Sequence, residues 1–227
     1  MKRVAILQSN YIPWKGYFDI IGKVDLFIFH DDLQYTKNDW RNRNKIKTAN
    51  GLEWLTVPCG TSEKRLISEV TLTDHKWQLE HWRKIKATYN KAPYFKTFEP
   101  FFEEVFVGNK WDNLSVLNQY LIKKIAKDFL GIDTLFEDSS TYDLQFNKAE
   151  RVKELLLKAA ATTYVSGPAA KNYLNEDFLM QDNIGLEWMD YNGYPEYEQL
   201  YPPFQHNVSI IDLLVHTGHN AADYIKK

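Results

Sequence analysis

The fold turns on one stretch, VAILQSNYIPWKGYFDIIGKVDLFIF, Val4 to Phe29. Its ends are short apolar runs, Val4-Ala5-Ile6-Leu7 and Asp25 to Phe29, and neither alternates apolar with polar residues. Such runs predict strands buried on both faces, as in a parallel sheet. Parallel neighbours need a crossover, and Gly16 to Lys23 is long enough for two helical turns between them. The loop before that helix, Gln8 to Tyr17, is polar and aromatic around Pro13 and Gly16.

Working outward, Asn50-Gly51 marks a turn, and Glu53 to Val57 reads as a third strand. Glu69 to Leu72 reads as another short strand. Thr73-Asp74 offers a helix N-cap, and Trp77, Trp82, Ile85 and Tyr89 recur at near-helical spacing before Pro93. Phe98 to Val107 is a second helix. Asn113 to Phe129 is the clearest amphipathic helix, with Leu114, Leu117, Leu121, Ile125 and Phe129 on one stripe and Gly131 past its end. Leu135 centres a strand, Thr134 to Phe136. Asn147 caps a helix from Lys148 to about Ala161. A strand from Thr162 to Val165 runs into Ser166-Gly167-Pro168, and a short helix follows from Ala169 to Leu174. Leu186 to Tyr191 is the last strand, and Ser209 to Val215 and Ala221 to Ile225 are helical. Strands and helices alternate, which predicts an α/β fold with a mostly parallel sheet. The expected organisation is one α/β domain over residues 1–227 with a helical insertion at about 74–130.

Bulk properties narrow the function. A net charge of −2 supplies no global basic field for nucleic acid or an anionic membrane, so any anion site is local. The single cysteine, Cys59, excludes an intramolecular disulfide and a thiolate-rich metal site. His-Glu-x-x-His, a calcium loop and Gly-x-x-x-x-Gly-Lys are all missing, so neither a metal site nor a P-loop is expected. No apolar run has the length of a signal-peptide core or a membrane span, and the expected location is cytoplasmic.

In open α/β sheets, ligands bind where strand ends lead into helices. Three such exits are polar here. The first carries Gln8, Asn10, Tyr11, Trp14, Gly16 and Tyr17; Gly16 admits close approach to the backbone, and the helix start favours phosphate or carboxylate. A tight glycine turn with packed rings accounts for the same residues. The second carries Asp31, Asp32, Gln34 and Tyr35, then Lys37, Trp40, Arg41, Arg43 and Lys45. Its cations suit phosphate or carboxylate and Trp40 suits a base or sugar face, although a solvated basic patch has the same composition. Adjacent Asp31 and Asp32 point to opposite sides of an extended chain, and Asp32 is the preferred candidate base. The third exit carries Ser166 and Gly167, with Lys171 a turn on. Ser166 sits in no Gly-x-Ser-x-Gly elbow, so a hydrolase triad is not expected, and helix capping also explains it. His206, before the last helix, is a candidate acid or base.

The first loop is similar to the His-x-Gly-His arrangement of adenylyl-transferring enzymes such as pantothenate synthetases and cytidylyltransferases, with Trp14 and Tyr17 at the two histidine positions. That likeness implies a Rossmann-like nucleotidyltransferase (HUP-type) core, while the ring substitutions remove two phosphate donors. A wider resemblance covers nearly the whole chain. The block from Val4 to Pro58, with the later YVSGPAAKNYL and FQHNVSIIDLLVHTG, resembles the WbqC-like proteins. The resemblance implies a role in O-antigen or other surface-polysaccharide (lipopolysaccharide) biosynthesis, and glycine transfer to an amino sugar on a nucleotide carrier. Amide formation needs an activated carboxyl, from ATP or from a pre-activated donor such as an aminoacyl-tRNA. In that scheme Gln8, Asn10 and Tyr11 hold substrate, Arg41, Arg43 and Lys45 bind phosphates, and Asp32 or His206 takes the amine proton. The alternative is a non-catalytic nucleotide-sugar binder. Partners are thus small molecules, a nucleotide sugar and an amino-acid donor, with no genomic nucleic acid.

Overall fold

The computed structural model describes residues 1–172, 174 and 176–225. Tyr173, inside the helix expected at Ala169 to Leu174, lies outside the described residues. Five parallel strands form the main sheet: β1 (Arg3–Leu7), β2 (Leu26–Phe29), β5 (Leu135–Asp138), β6 (Thr163–Ser166) and β7 (Gly185–Trp188). Their order is β5-β2-β1-β6-β7. β1 is central, and the connections run outward in opposite directions from β1 and from β6. That pair is the topological switch point, where a crevice opens at the carboxyl ends.

The side-chain period of two sorts the strands onto two layers. Ala5, Phe27 and Phe29 face one apolar cluster, and Val4, Ile6, Leu26 and Ile28 face the other. Helix α1 (Lys15–Gly22) covers the first face with Phe18, Ile20 and Ile21. α5 (Lys148–Lys158) covers the second with Val152, Leu155 and Leu156, beside the short α6 (Glu176–Met180). The helical segment between the hairpin and β5 joins the first face. It comprises α2 (Lys76–Tyr89), α3 (Phe95–Glu103) and α4 (Leu114–Lys124). α7 (Ile210–Thr217) packs there too, capped by Ser209, whose Oγ accepts from the Ile211 N–H at 3.3 Å. The Asn113 cap is observed, with its Oδ1 accepting from the Val116 N–H at 3.0 Å. No helix among the described residues is long and apolar enough to cross a membrane.

Three expected elements differ. The third strand does not enter the parallel sheet. β3 (Arg43–Thr48) and β4 (Gly51–Thr56) form a separate antiparallel hairpin, in register from Arg43 opposite Thr56 to Thr48 opposite Gly51. Gly51 takes φ +105°, which only glycine adopts without strain, so the Asn50-Gly51 signal marks a hairpin turn. β3 escapes sequence reading because RNRNKIKT carries one aliphatic residue, Ile46, and its inward neighbours are Asn42 and Asn44. Glu69 to Leu72 is no strand either. A single helical turn at Ile67–Glu69 is followed by an isolated bridge from Thr71 to Asn113. The short helix expected over Ala221 to Ile225 is a tighter turn over Gly218–Tyr224.

Candidate functional site

The hairpin builds the wall of a cavity beyond β1. Asn44 is buried and its Nδ2 donates to the main-chain carbonyls of Tyr11 at 3.2 Å and Ile12 at 2.7 Å. The Tyr11 N–H donates to the Trp40 carbonyl at 2.9 Å, and the Ile210 N–H to the Pro13 carbonyl at 2.9 Å. These four bonds hold Ile12 at φ +41°, a costly conformation for a β-branched residue. The Ser209 N–H bonds the Lys45 carbonyl at 2.8 Å and ties the hairpin to α7. The result is a cavity of about 380 Å³ lined by Asn10, Pro13, Trp14, Trp40, Asn44, Lys45 and Asn207. A larger one, about 730 Å³, lies at the amino ends of β2 and β5 and is mostly apolar. Ligands of open α/β sheets bind at the other end, so the smaller cavity is the better candidate.

Its electrostatics come from the outward face of the hairpin. Period two sends Arg43 and Lys45 outward and Asn42 and Asn44 inward. Lys45 pairs with Trp54, and both cations lie over its ring: the Arg43 guanidinium carbon 4.2 Å and Lys45 Nζ 4.8 Å from the centroid. Trp40 lies 5.6 Å from Trp54, and both indoles are about two-fifths exposed, at 43% and 38%. Four buried polar atoms on or beside the cavity have no hydrogen-bond partner: Asn10 Oδ1, Arg41 Nε, Arg43 Nε and His206 Nδ1. Native structures rarely leave such atoms unsatisfied, and a bound ligand is one resolution.

Of the residues singled out by sequence, Asn10, Trp14, Trp40 and Lys45 line this cavity, with Arg41, Arg43 and His206 adjacent. Arg41 also meets Asp39 at 3.1 Å. His206 packs on Phe204 at 4.6 Å between ring centroids, and burial lowers its pKa, with Lys15 pushing the same way and Glu196 opposing.

The helix tip is occupied by the chain itself. A Cβ on Gly16 would fall 2.3 Å from the Trp14 indole, so the group that approaches this glycine is Trp14. Trp14 in turn packs on Tyr191 at 5.3 Å and Tyr194 at 5.9 Å. Tyr17 is buried and donates to the Gln8 carbonyl at 2.9 Å, and burial raises its pKa well above the usual phenol value. Tyr11 is fully buried, its hydroxyl 2.7 Å from His81 Nδ1.

The remaining candidates lie outside the cavity. Asp31 is fully buried: one oxygen accepts from the Ser9 N–H at 2.7 Å, the other from Ser115 Oγ at 2.5 Å and Gln119 Nε2 at 3.3 Å. Asp32 turns to α5, where Arg151 and Ser139 both bond it. Both of its oxygens are thereby committed within the fold. Arg151 Nε also donates to His30 Nε2 at 3.2 Å. Burial, helped by Arg151 and opposed by Asp32 and Asp138, lowers the His30 pKa to about 4. Gln34 is exposed beside Arg65, Tyr35 is fully buried against Arg65, and the Lys37 N–H bonds Glu63 at 2.8 Å. Ser166 Oγ lies 3.3 Å from the Tyr164 hydroxyl, and Lys171 Nζ lies over Trp188 at 5.3 Å. A Cβ on Gly167 would sit 3.4 Å from the Tyr191 hydroxyl, so the third exit reaches the cavity through Tyr191 and Trp14.

Sequence reading missed Asn44, Asn207 and Lys15. Alternation within RNRNK separates the two asparagines from the cations and marks Asn44. Lys15 begins α1 almost wholly buried, donates to the Pro195 carbonyl at 2.9 Å and sits among Tyr194, Tyr197 and Phe204. Burial brings its pKa down to about 8, against the pull of Glu196 and Asp212. Local sequence gives no sign of this, because the strap that covers it lies 180 residues away. Among the described residues no group of three or more His, Cys, Asp or Glu side chains is placed to hold a metal ion.

The model of the WbqC-like protein family matches residues 8–224. The chain is 44% identical over 228 aligned positions to an uncharacterized protein of Mycobacterium tuberculosis, Rv1507c, an alignment covering all of this chain and 98% of that one. No solved structure matches the chain.

Proposed function

The chain belongs to the WbqC-like protein family, and from that premise we propose that it transfers an aminoacyl group, glycyl first among them, to a nucleotide-linked amino sugar in surface-polysaccharide assembly. The observation that carries this reading is the set of unpartnered buried polar atoms around one cavity beside exposed indoles and cations. An indole offers a face to a base or sugar ring, and Arg43 and Lys45 offer charge to a diphosphate. The strand order, with its reversal between β1 and β6, supports a nucleotidyltransferase-like (HUP-type) core of a single α/β unit. In this scheme Asn10, Asn44 and Asn207 hold sugar hydroxyls, and His206 takes the proton from the attacking amine. His206 replaces Asp32 in that role, because Asp32 is held by Arg151 and Ser139.

The test is incubation of the purified protein with a nucleotide-linked amino sugar, glycine and ATP, or with glycyl-tRNA in place of the last two. The expected result is a glycyl mass gain on the sugar. A second reading, a non-catalytic nucleotide-sugar binder, is favoured by the covered tip of α1, where Trp14 fills the space above Gly16. Calorimetric binding of the nucleotide sugar with no mass gain from either donor selects it.

A further inference from the structure

From the end of β7 to the start of α7 the chain runs through residues 189–209 without a helix or strand. Loops longer than about 15 residues with no secondary structure are uncommon in a compact domain, and they are usually lids, binding loops or linkers. The two halves of this strap are held differently. Its second half is bolted down: Tyr197 and Gln199 each bond Asp212 at 2.8 Å, Lys47 donates to Gln199 at 2.7 Å and to the Pro203 carbonyl, and Tyr201 donates to the Thr88 carbonyl at 3.2 Å. The first half, residues 190–196, is mostly exposed, and its inward bonds are those of Tyr194 to Asp19 and of Lys15 to the Pro195 carbonyl. That second bond is unusual. Lys15 is almost wholly buried, none of the ion pairs found among the described residues includes it, and a neutral carbonyl accepts its one hydrogen bond, although an ammonium has three donors. His206 faces the same place. Its ring packs on Phe204, over which Lys15 Nζ also lies at 5.8 Å, and its Nδ1 is buried without a partner. One carboxylate of the first half reaches both groups: Glu196 pulls on Lys15 and stands 4.0 Å from His206, with its side chain 69% exposed.

We propose that Lys15 and His206 form a phosphate subsite that lengthens the first cavity, that Glu196 and the Pro195 carbonyl occupy it in the closed state, and that residues 190–196 swing away when a ligand's phosphoryl group takes their place. Both groups adjoin the cavity, since Trp14 and Asn207, their neighbours in the chain, line it. The unspent donors of Lys15 and the Nδ1 of His206 suit a group with several acceptor oxygens. The movement removes Glu196 from the two groups. Asp212, which also pulls on Lys15, stays bonded by Tyr89 at 3.0 Å and by the bolted half of the strap, and Asp19 keeps Lys23 at 3.8 Å. A bond from Nδ1–H leaves Nε2 of His206 as its basic nitrogen. The subsite deepens, and rests on, the reading of the first cavity as a diphosphate site; it does not depend on aminoacyl transfer.

Inorganic pyrophosphate, which has neither base nor sugar, is the probe, with calorimetry on the intact protein. It is expected to bind, and Lys15→Met to weaken it by about tenfold. Glu196→Gln removes the competing carboxylate and is expected to tighten it several-fold, while Glu150→Gln, an exposed change on α5, leaves it at the parental value. Cleavage after Glu196 by a glutamate-specific protease is expected to accelerate several-fold when pyrophosphate is bound. No binding, no acceleration, or the same affinity in Glu196→Gln as in Glu150→Gln would overturn the subsite. The protease arm needs no variant and the two glutamate changes are at the surface, so a misfolded Lys15→Met leaves the test intact. If pyrophosphate releases the strap and no donor gives a glycyl product, the subsite stands and the transfer falls. If glycyl transfer is observed with the strap unmoved, the reverse holds.

Discussion

Two clusters of charge stand at the carboxyl end of this sheet, one on each side, and they are built on opposite principles. On the α5 side, Asp32, Arg151, Ser139 and His30 satisfy one another. On the hairpin side, Arg41, Arg43, Asn10 and His206 keep buried polar atoms with no partner, next to a cavity. The residue types are alike and the loops are neighbours in sequence. What separates them is where their hydrogen bonds end. A closed cluster returns its bonding energy to the fold, whereas an open one holds it in reserve for a ligand.

The closed cluster should therefore break the fold when opened. Asp32 and Arg151 side chains are only 16% and 14% exposed. Arg151→Ala leaves the carboxylate without its cation and is expected to cost on the order of 3 kcal/mol, read as a lowered urea midpoint, since the lone charge stays partly buried. Nucleotide-sugar affinity at a temperature where the variant remains folded should not move. A large affinity loss with unchanged stability would reverse the assignment of the two clusters.

Acid should open the same cluster without mutation. Arg151 Nε donates to His30 Nε2, a bond that needs a neutral ring. Burial lowers the pKa of His30 from 6.5 to about 4, and that of His81, whose Nδ1 meets Tyr11, to about 4 as well. For a base depressed in the folded state, the unfolded chain binds more protons between the two values, so stability is complete above pH 6.5 and falls toward pH 4. Each histidine is expected to cost about 2 kcal/mol at pH 5 relative to pH 7. Urea titrations at the two pH values check this, and the drop should shrink by about half in His81→Phe relative to its own value at pH 7.

The contrast between the clusters also explains what sequence alone could reveal. The parallel strands were legible because Val4 to Leu7 and Asp25 to Phe29 are continuous apolar runs, which report burial on both faces. The helices from Lys76 to Lys124 were legible through their spacing and the Asn113 cap. The hairpin was only half visible: Asn50-Gly51 announced it, yet β3 is stabilised by asparagine bonds to a loop more than thirty residues away. The basic segment was visible in composition as a ligand site or a solvated patch, while the partner of Asp32 was hidden, because Arg151 lies 119 positions downstream on a helix read only for its cap and its bounds. Spacing along a chain reports local faces, and charge satisfaction is a tertiary property.

Gly16 sharpens the comparison from the cavity's side. Sequence reading left its open space to a ligand or to packed rings, and in the structure it is taken by Trp14. Gly16→Ala puts a methyl where the indole lies, so Trp14 must leave both the cavity and its contacts with Tyr191 and Tyr194. The expected cost is about 1–3 kcal/mol of stability, the usual range for overpacking, with loss of nucleotide-sugar binding. Tryptophan emission should shift to the red as the ring gains water. An unchanged spectrum with unchanged binding would mean the site tolerates the methyl and does not use Trp14.

The smallest effect on the fold, and the cleanest division of binding from stability, is expected at the hairpin cations. Lys45 lines the cavity and lies over Trp54, whereas Lys37 is exposed with its backbone bonded to Glu63. Composition cannot tell the two lysines apart. Lys45→Ala is expected to weaken a nucleoside diphosphate sugar by about tenfold, or ~1.4 kcal/mol, with a shallower salt dependence, while the melting temperature changes little. Lys37→Ala should leave affinity and salt dependence at parental values. Equal losses in both would mean that the segment acts as a diffuse basic patch, and the cavity would then have no claim on the diphosphate.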